Sequence, residues 1–181
     1  MTIEITREPS VTYKVRSIPE GGWADVNIRS WERGGSLMIQ SDFGEYSHVW
    51  TSIGDCTFIE FLCDLDKDYF LKKTRPKDYL VFDDEATVAA MKKDIVQQRR
   101  ERYINADVAR EAWNDVDNCE MHSCNETEFF TLLRDTDTFS NLYECDYCAV
   151  PMVQKYHPHC DLFWERVWLR LIEYWKDQTK Q

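Results

Sequence analysis

The period of the hydrophobic pattern changes after Gly54, and this change limits the fold more than any other feature of the sequence. Before Gly54, several segments alternate apolar and polar residues or are rich in β-branched and aromatic residues, as β-strands are. These segments are 2–8, 11–18, 23–31, 36–41 and 46–50. After Gly54, apolar residues recur every three or four positions, as on one side of an amphipathic helix. The sequence therefore predicts an α+β fold, in which an N-terminal antiparallel sheet of four to five strands packs against four to five C-terminal helices.

The chain is predicted to form one domain over residues 1–181, with a sheet region (1–56) and a helical region (57–181). Of its 181 residues 43% are hydrophobic and 14% aromatic, so the chain can bury a substantial core and is not disordered. The first residues, MTIEITREPS, lack the basic and apolar regions of a signal peptide, and no apolar run is long enough to span a membrane. We therefore expect a soluble, cytoplasmic protein.

The tripeptide Asp42-Phe43-Gly44 is also the motif with which protein kinases hold a magnesium ion. In a kinase it follows a glycine-rich loop, a lysine-bearing strand and a catalytic loop, and the residues before Asp42 contain none of these. Here the tripeptide lies between two predicted strands. Gly44 can take the positive φ that a hairpin turn requires, and the Asp42 carboxylate can accept from the turn backbone. Residues 42–45 are therefore predicted to form a hairpin turn, not a nucleotide site.

Helix start signals divide the second part of the chain. Thr57 and Glu60 form a capping box, in which each side chain serves a free backbone amide, and Asn125 and Glu128 form a second one. Asp83 or Asp84 begins a longer helix that continues to Tyr103, and Asn105 begins the next. The inward residues predicted for these helices are Phe58, Phe61, Leu62, Leu65 and Tyr69; Val88, Met91, Ile95 and Val96; Val108, Ala112, Trp113 and Val116; and Phe129, Leu132 and Leu133.

The last predicted helix runs from about Cys160 to Gln178 and carries a tryptophan stripe. Trp164, Trp168, Leu171 and Trp175 follow one another at intervals of four, three and four residues. This spacing places them on one side of the helix, and such a stripe is more often core than a binding surface. We therefore predict that it is buried.

Several cysteines and histidines lie close together in the sequence and could form a zinc site. The chain has seven cysteines and no secretory signal, so its thiols are expected to be reduced. Cys145 and Cys148 with His157 or His159 and Cys160 could hold zinc, and Cys119, His122 and Cys124 could complete either half. The His157–Cys160 half is too compressed for standard zinc spacing, and small buried thiols are common. We predict no metal and no cofactor, and retain a zinc-organised structural or regulatory domain as an alternative.

No catalytic motif is present in the sequence. Ser47 and His48 are neighbours on a predicted strand and point to opposite faces, so they cannot act as a pair. Nucleophile-elbow, phosphate-loop, dinucleotide-binding and zinc-protease signatures are missing. Asp64, Asp66 and Asp68 alternate like the start of a calcium loop, but the required glycine does not follow. We therefore expect no enzyme and no catalytic residues, and keep an uncharacterised enzyme as a further alternative.

Negative charge is concentrated in one part of the chain. The whole chain has a formal net charge of −11, and residues 107–146 contain 11 acidic side chains but only Arg110 and Arg134, a local net charge of −9. Residues 67–106 contain 10 basic side chains. A strongly acidic surface repels nucleic acid and attracts basic partners, including proteins that themselves bind nucleic acid.

The run from Ser41 to Lys73, followed by a charged helix and the Trp-rich C-terminal helix, resembles small acidic accessory proteins encoded by tailed phages and prophages. The resemblance covers most of the chain. These relatives have no assigned activity, so the resemblance implies no catalytic residue. It implies a context instead, because small accessory phage proteins often bind and block a host enzyme or defence complex. Anti-CRISPR and anti-restriction proteins are examples, and several of them are acidic mimics of nucleic acid.

The function expected from these features is non-enzymatic inhibition of a host protein that handles nucleic acid. The expected partner is a basic host protein or nucleoprotein defence complex, without direct contact to nucleic acid or membrane. In the alternative interpretation, the acidic segment only keeps a small domain soluble. The carboxylates expected to bind the partner are Asp107, Glu111, Asp115, Asp117, Glu126, Glu128, Asp135 and Asp137.

Overall fold

The computed structural model describes residues 3–16, 21–122 and 125–178. The strands are β1 (Val11–Val15), β2 (Ala24–Trp31), β3 (Gly34–Ser41), β4 (Gly44–Trp50), β5 (Leu80–Phe82) and β6 (Gln154–Tyr156). The helices are α1 (Phe58–Cys63), α2 (Lys67–Thr74), α3 (Asp84–Arg100), α4 (Ala106–His122), α5 (Glu126–Arg134), α6 (Asp137–Tyr143), α7 (Pro158–Phe163) and α8 (Leu169–Gln178). A π-helical turn, Trp164–Trp168, joins α7 to α8. The predicted α+β fold with its N-terminal antiparallel sheet is confirmed.

The chain groups into two compact units. The sheet unit consists of Met1–Tyr79 and Tyr156–Gln181, and the helical unit of Leu80–Lys155. This grouping does not follow the expected boundary at residue 56, because α1, α2, α7 and α8 belong with the sheet. The single domain remains a prediction.

The sheet of the first unit has the order β1-β2-β3-β4, and every neighbouring pair is antiparallel. Its inner face is built from rows of facing residues, and one such row is Tyr13, Val26, Ile39 and Tyr46. Alternation along β2 is as predicted. Ala24, Val26 and Ile28 are buried, while Asp25 and Asn27 between them are half-buried.

The first predicted strand, 2–8, is wrong for the residues that the structure describes. Residues 3–10 are in no strand, and Ile3 and Ile5 are 85% and 90% exposed. In the described chain, no neighbouring strand is available to form backbone hydrogen bonds with this segment. Pro9 also removes a backbone donor just before β1. Side chains tie down only the end of this segment, where Arg29 donates to Glu8 at 2.8 Å.

The hairpin predicted at residues 42–45 is confirmed, with different contacts. Ser41 faces Gly44 across the turn, and Gly44 has a φ of +113°. The Ser41 hydroxyl holds the turn, since it donates to the Gly44 carbonyl at 2.7 Å and accepts from the Phe43 amide at 3.2 Å. The Asp42 carboxylate instead accepts from the Trp23 amide at 3.1 Å, outside the turn.

The capping box at Thr57 and Glu60 is confirmed, and α1 begins there. The predicted apolar stripe up to Tyr69 is interrupted, because Asp66 starts a new helix by accepting from the Tyr69 amide at 2.9 Å. After this break, different positions of the helical period point into the core. Phe70 and Leu71 are buried, whereas Tyr69 is 37% exposed.

The C-terminal tryptophan stripe is core, as predicted. Trp168, Leu171 and Trp175 are buried, and Trp164 is half-buried. Trp168 is fully buried, and its ring centroid lies 4.2 Å from that of Phe70 in α2.

The helical unit has a separate core formed by α3, α4, α5 and α6. Asp83 caps α3 by accepting from the Ala86 amide at 3.1 Å. Val88, Met91 and Ile95 are buried as predicted, but Val96 is 37% and Trp113 39% exposed. A residue next to Ile95 is turned by about 100° around the helix axis, so Val96 cannot point into the same core.

Replacing Gly44 with valine is expected to destabilise the protein strongly. A Cβ at this position would lie 2.5 Å from the Arg75 Nη1 atom, and the backbone φ is one that side chains rarely adopt. Chemical denaturation should show a loss well above that of Gly54→Val, because Gly54 has a φ of +81° but open space around it. Equal losses of stability for the two variants would show that the clash of the new side chain with Arg75 adds nothing to the cost of the backbone conformation.

Trp168→Ala is expected to lower the free energy of unfolding by about 3–5 kcal/mol, since it leaves a large cavity in a packed core. Denaturant titration measures this loss. The control is Leu169→Ala at the next position, where the side chain is 38% exposed, and a much smaller loss is expected there. Unchanged stability of the Trp168 variant would contradict its place in the core.

Candidate partner-binding face

The acidic segment 107–146 forms three helices of the helical unit. Helix α4 begins at Asn105, whose side chain accepts from the Asp107 and Val108 amides at 2.9 and 3.0 Å. The inward side of α4 consists of Ala112, Val116 and Cys119, all buried. The carboxylates of α4 therefore lie beside or opposite this side.

Asp107 and Glu111 form an exposed row on α4. They are four residues apart, which places them on one side of the helix about 6 Å apart along its axis. Both are exposed. The nearest basic group, Arg110, lies 3.7 Å from Asp107, and both side chains are largely in solvent. An ion pair so exposed neutralises little charge.

Asp115 continues this row but has a structural partner. Its carboxylate accepts from the hydroxyl of Thr138 in α6 at 2.5 Å. Thr138 is buried, with 2% of its surface exposed. The bond joins two helices of the unit and satisfies a hydroxyl that is out of reach of water.

Asp117 does not lie on the same side of α4 as Asp115. Two residues apart on a helix means about 160° around its axis. Asp117 forms an ion pair with Lys92 of α3. The Lys92 ammonium also lies 5.0 Å from the centroid of the Trp113 ring. The intervals between the four acidic residues of α4 therefore do not all place them on one face.

The remaining predicted carboxylates lie at the ends of α5 and α6. Asn125 caps α5 by accepting from the Glu128 amide at 3.0 Å, and Glu126 and Glu128 occupy its first turn. Asp137 occupies the first turn of α6. Carboxylates at these positions interact favourably with the helix dipole. Asp135 follows α5 and lies 3.3 Å from Arg134. Of these four carboxylates, only Glu126 is half-buried; the others are exposed.

The cysteines and histidines considered for zinc have different environments. Cys145 and Cys148 are exposed, whereas Cys160 is buried. His157 caps α7, where its Nδ1 atom accepts from the His159 amide at 3.1 Å. Among the side chains that the structure describes, no group of three or more His, Cys, Asp or Glu could hold a metal ion. Cys124 and the side chain of His122 lie outside what the structure describes.

A cluster around Arg75 was not predicted from the sequence. The guanidinium donates to both carboxylate oxygens of Asp78, at 2.8 and 2.7 Å, and to the Phe43 carbonyl at 3.2 Å. The Tyr46 hydroxyl donates to the same carbonyl at 3.1 Å. The cluster thus holds the β3–β4 turn. In the sequence, the three-residue separation of Arg75 and Asp78 was the only indication that these two side chains could pair.

Two further titratable groups lie near Arg75, the Cys160 thiol and the His157 imidazole. Burial raises the pKa of the Cys160 thiol above its ordinary value. Burial and then the nearby Arg75 charge lower the pKa of His157. A nucleophilic cysteine needs the opposite shift, toward a thiolate beside a cationic group. Cys160 lies in the sheet-unit core, and His157 caps α7.

No helix within the described residues is long and apolar enough to cross a membrane.

Asp115→Ala is expected to lower the free energy of unfolding by about 1–3 kcal/mol, because the buried Thr138 hydroxyl loses its acceptor. The matched control is Glu111→Ala on the same helix, where a change within about 0.5 kcal/mol is expected for an exposed side chain. Denaturant titration compares them. Equal stabilities would show that the Asp115 carboxylate does not support the fold.

Comparison with known proteins identifies a family for the chain. A family model with the description "Phage family" matches residues 3–175, which is nearly the whole chain. No curated protein and no solved structure shows significant similarity to the chain. The match supports the phage context that the Ser41–Lys73 run and the Trp-rich helix implied. The chain belongs to this family of phage proteins.

Proposed function

We propose that this phage protein is a non-enzymatic inhibitor that binds a basic host protein, or a nucleoprotein defence complex, in the host cytoplasm. The observation that carries the proposal is the local net charge of −9 on residues 107–146, which consist of three helices of one unit and their connections. Membership of a phage family supports the host context. The partner is one that normally handles nucleic acid, as CRISPR and restriction complexes do.

The docking surface proposed here, which we call the acidic face, consists of exposed carboxylates of α4, α5 and α6 and of Asp135 between α5 and α6. Its members are Asp107, Glu111, Glu128, Asp135 and Asp137. Asp115 and Asp117 support this face from within the unit, through Thr138 and Lys92. Glu126 is half-buried at the start of α5 and contributes charge at its border.

The spacing of the carboxylates supports a face built from more than one helix. The row of Asp107 and Glu111 carries one charge per about 6 Å of helix. A single strand of duplex DNA carries one charge per about 3.4 Å of helix axis. One helix therefore reaches about half the linear charge density of a nucleic-acid strand. The additional charges of α5 and α6 raise the charge density of the face toward that of nucleic acid, to which a basic groove of the partner is complementary.

The energetic cost of the acidic face also supports a binding role. Like charges one helical turn apart destabilise a helix by a few tenths of a kcal/mol per pair. A surface needed only for solubility would do better with its charges interspersed. A concentrated field, in contrast, steers a basic partner and accelerates association. The same field repels nucleic acid and anionic membrane, so neither is proposed as a direct ligand.

Reversing three charges of the acidic face is expected to abolish capture of the partner. The variant is Asp107→Lys, Glu111→Lys and Asp135→Lys, which leaves the contacts of Asp115 and Asp117 in place. Tagged wild-type and variant proteins are incubated with host lysate at low salt, and captured proteins are identified by mass spectrometry. A basic host protein should be retained by the wild type and lost by the variant. Its affinity for the wild type should weaken with salt, as the screening length falls to about 10 Å at 0.1 M.

The control variant carries the same change of charge elsewhere, as Glu32→Lys, Glu45→Lys and Asp55→Lys, all exposed in the sheet unit. It should retain the partner and its inhibition. Circular dichroism verifies that both variants fold. If the acidic-face variant inhibits the captured protein as strongly as the wild type, the acidic face is a solvated surface and the proposal is wrong.

A further inference from the structure

A groove on the helical unit lies apart from the acidic face. It runs between α3 and α4 and has a volume of about 620 Å³, within the range of sites that bind ligands. From α3 it is lined by Lys93, Val96, Gln97 and Arg100, and from α4 by Trp113. The α3 residues recur at three- and four-residue intervals and so form one continuous stripe.

The floor of the groove is apolar and exposed. Val96 and Trp113, which the sequence predicted to be core, are 37% and 39% exposed. Trp113 is held from one side by the Lys92 ammonium, and Lys92 is held in turn by Asp117. The aromatic floor is thus fixed before any partner binds, which reduces the entropy lost on association.

The rim of the groove is cationic. Lys93 and Arg100 are both exposed, and in the described part of the chain neither forms an ion pair. The carboxylate at the end of the groove, Glu101, accepts from Gln97 at 3.0 Å. Lys93 and Arg100 are seven residues apart, which separates them by about 10 Å along α3.

We propose that this groove binds an acidic amphipathic helix of a protein partner. Two apolar side chains of that helix pack on Val96 and Trp113, and carboxylates two helical turns apart pair with Lys93 and Arg100. The occupant is inferred from charge complementarity, because an apolar floor between two unpaired cations fits an apolar stripe flanked by acids. The matching sequence pattern has acids at positions i and i+7 and apolar residues between them.

Nucleic acid fits the groove less well than an acidic helix. Binding to a phosphate backbone relies on several cations along a track, and this groove offers two that are free of ion pairs in the described chain. A chain with net charge −11 also repels a long polyanion more than a short peptide. The groove uses side chains outside the acidic face, so the inference does not depend on the proposed function.

The test is a nuclear magnetic resonance titration of the full-length protein. The probe is a synthetic helical peptide with leucines on one side and glutamates at positions i and i+7. Saturable shifts are expected at the α3 and α4 amides and at the Trp113 indole. Lys93→Glu with Arg100→Glu should weaken the peptide about tenfold, corresponding to 1.4 kcal/mol. The control, Arg110→Glu with Arg134→Glu, changes the charge equally at exposed positions and should bind as the wild type does.

Two further probes separate the alternatives. A peptide with lysines in place of the glutamates should bind at least tenfold more weakly, and an oligodeoxythymidylate should not shift the groove resonances. The inference is overturned if the acidic peptide causes no shifts there, if the rim variant binds it unchanged, or if the oligonucleotide binds more tightly. Sedimentation could also show a dimer that the Lys93 and Arg100 variant no longer forms. A second copy would then occupy the groove, and the inference would be overturned. The Asp107, Glu111 and Asp135 variant should bind the peptide normally, so the two proposals can fail separately.

Discussion

The packing of aromatic rings between β4, α2 and the C-terminal helix is the contact on which the sheet unit depends. The rings of Tyr46 and Phe163 stack with centroids 4.0 Å apart, and those of Phe70 and Trp168 lie 4.2 Å apart. All four side chains are fully buried. Rings of this size carry much of the apolar area that a small core buries. Tyr46 and Phe70 precede the helical unit in the chain, and Phe163 and Trp168 follow it. These contacts therefore join two parts of the sheet unit that are distant in the sequence.

The carboxylates of the helical unit combine two physical roles. Asp83 caps a helix, Asp115 satisfies a buried hydroxyl, and Asp117 holds the lysine beside Trp113. These groups stabilise the unit through defined partners. The exposed row of Asp107 and Glu111 has no comparable structural effect, and its main consequence is a field that extends into solvent. The same excess of acid therefore supports the fold in one place and presents charge in another.

Local signals predicted those parts of the structure that depend on neighbouring residues. The capping box at Thr57, the turn at Gly44 and the spacing of the C-terminal tryptophans all act within a few residues of the chain. Features that depend on distant partners were missed. The alternation of residues 2–8 cannot reveal that no strand pairs with the described part of this segment. The exposure of Val96 depends on which side of α3 meets α4.

The acidic residues show the same division. The interval of two between Asp115 and Asp117 already breaks the helical period, so the sequence contained the reason that they lie on different sides of α4. Their partners could not be read in this way, since Lys92 lies on the preceding helix and Thr138 lies two helices further along the chain. The Arg75 cluster likewise joins the β3–β4 turn and β4 to the end of α2 and the loop that follows it. Charge density was visible in the sequence, but the division between supporting and exposed carboxylates required the fold.

The helical unit is an insertion between Tyr79 and Tyr156 of the sheet unit. At that point the His157 amide donates to the Tyr79 carbonyl at 2.8 Å, so the chain leaves and re-enters the sheet unit at adjacent positions. To the sheet unit the insertion is a closed loop, and doubling the length of such a loop costs only about 0.6 kcal/mol of closure entropy. A change in the length of the chain between these two tyrosines therefore costs the sheet unit little closure entropy, as long as Tyr79 and His157 still meet.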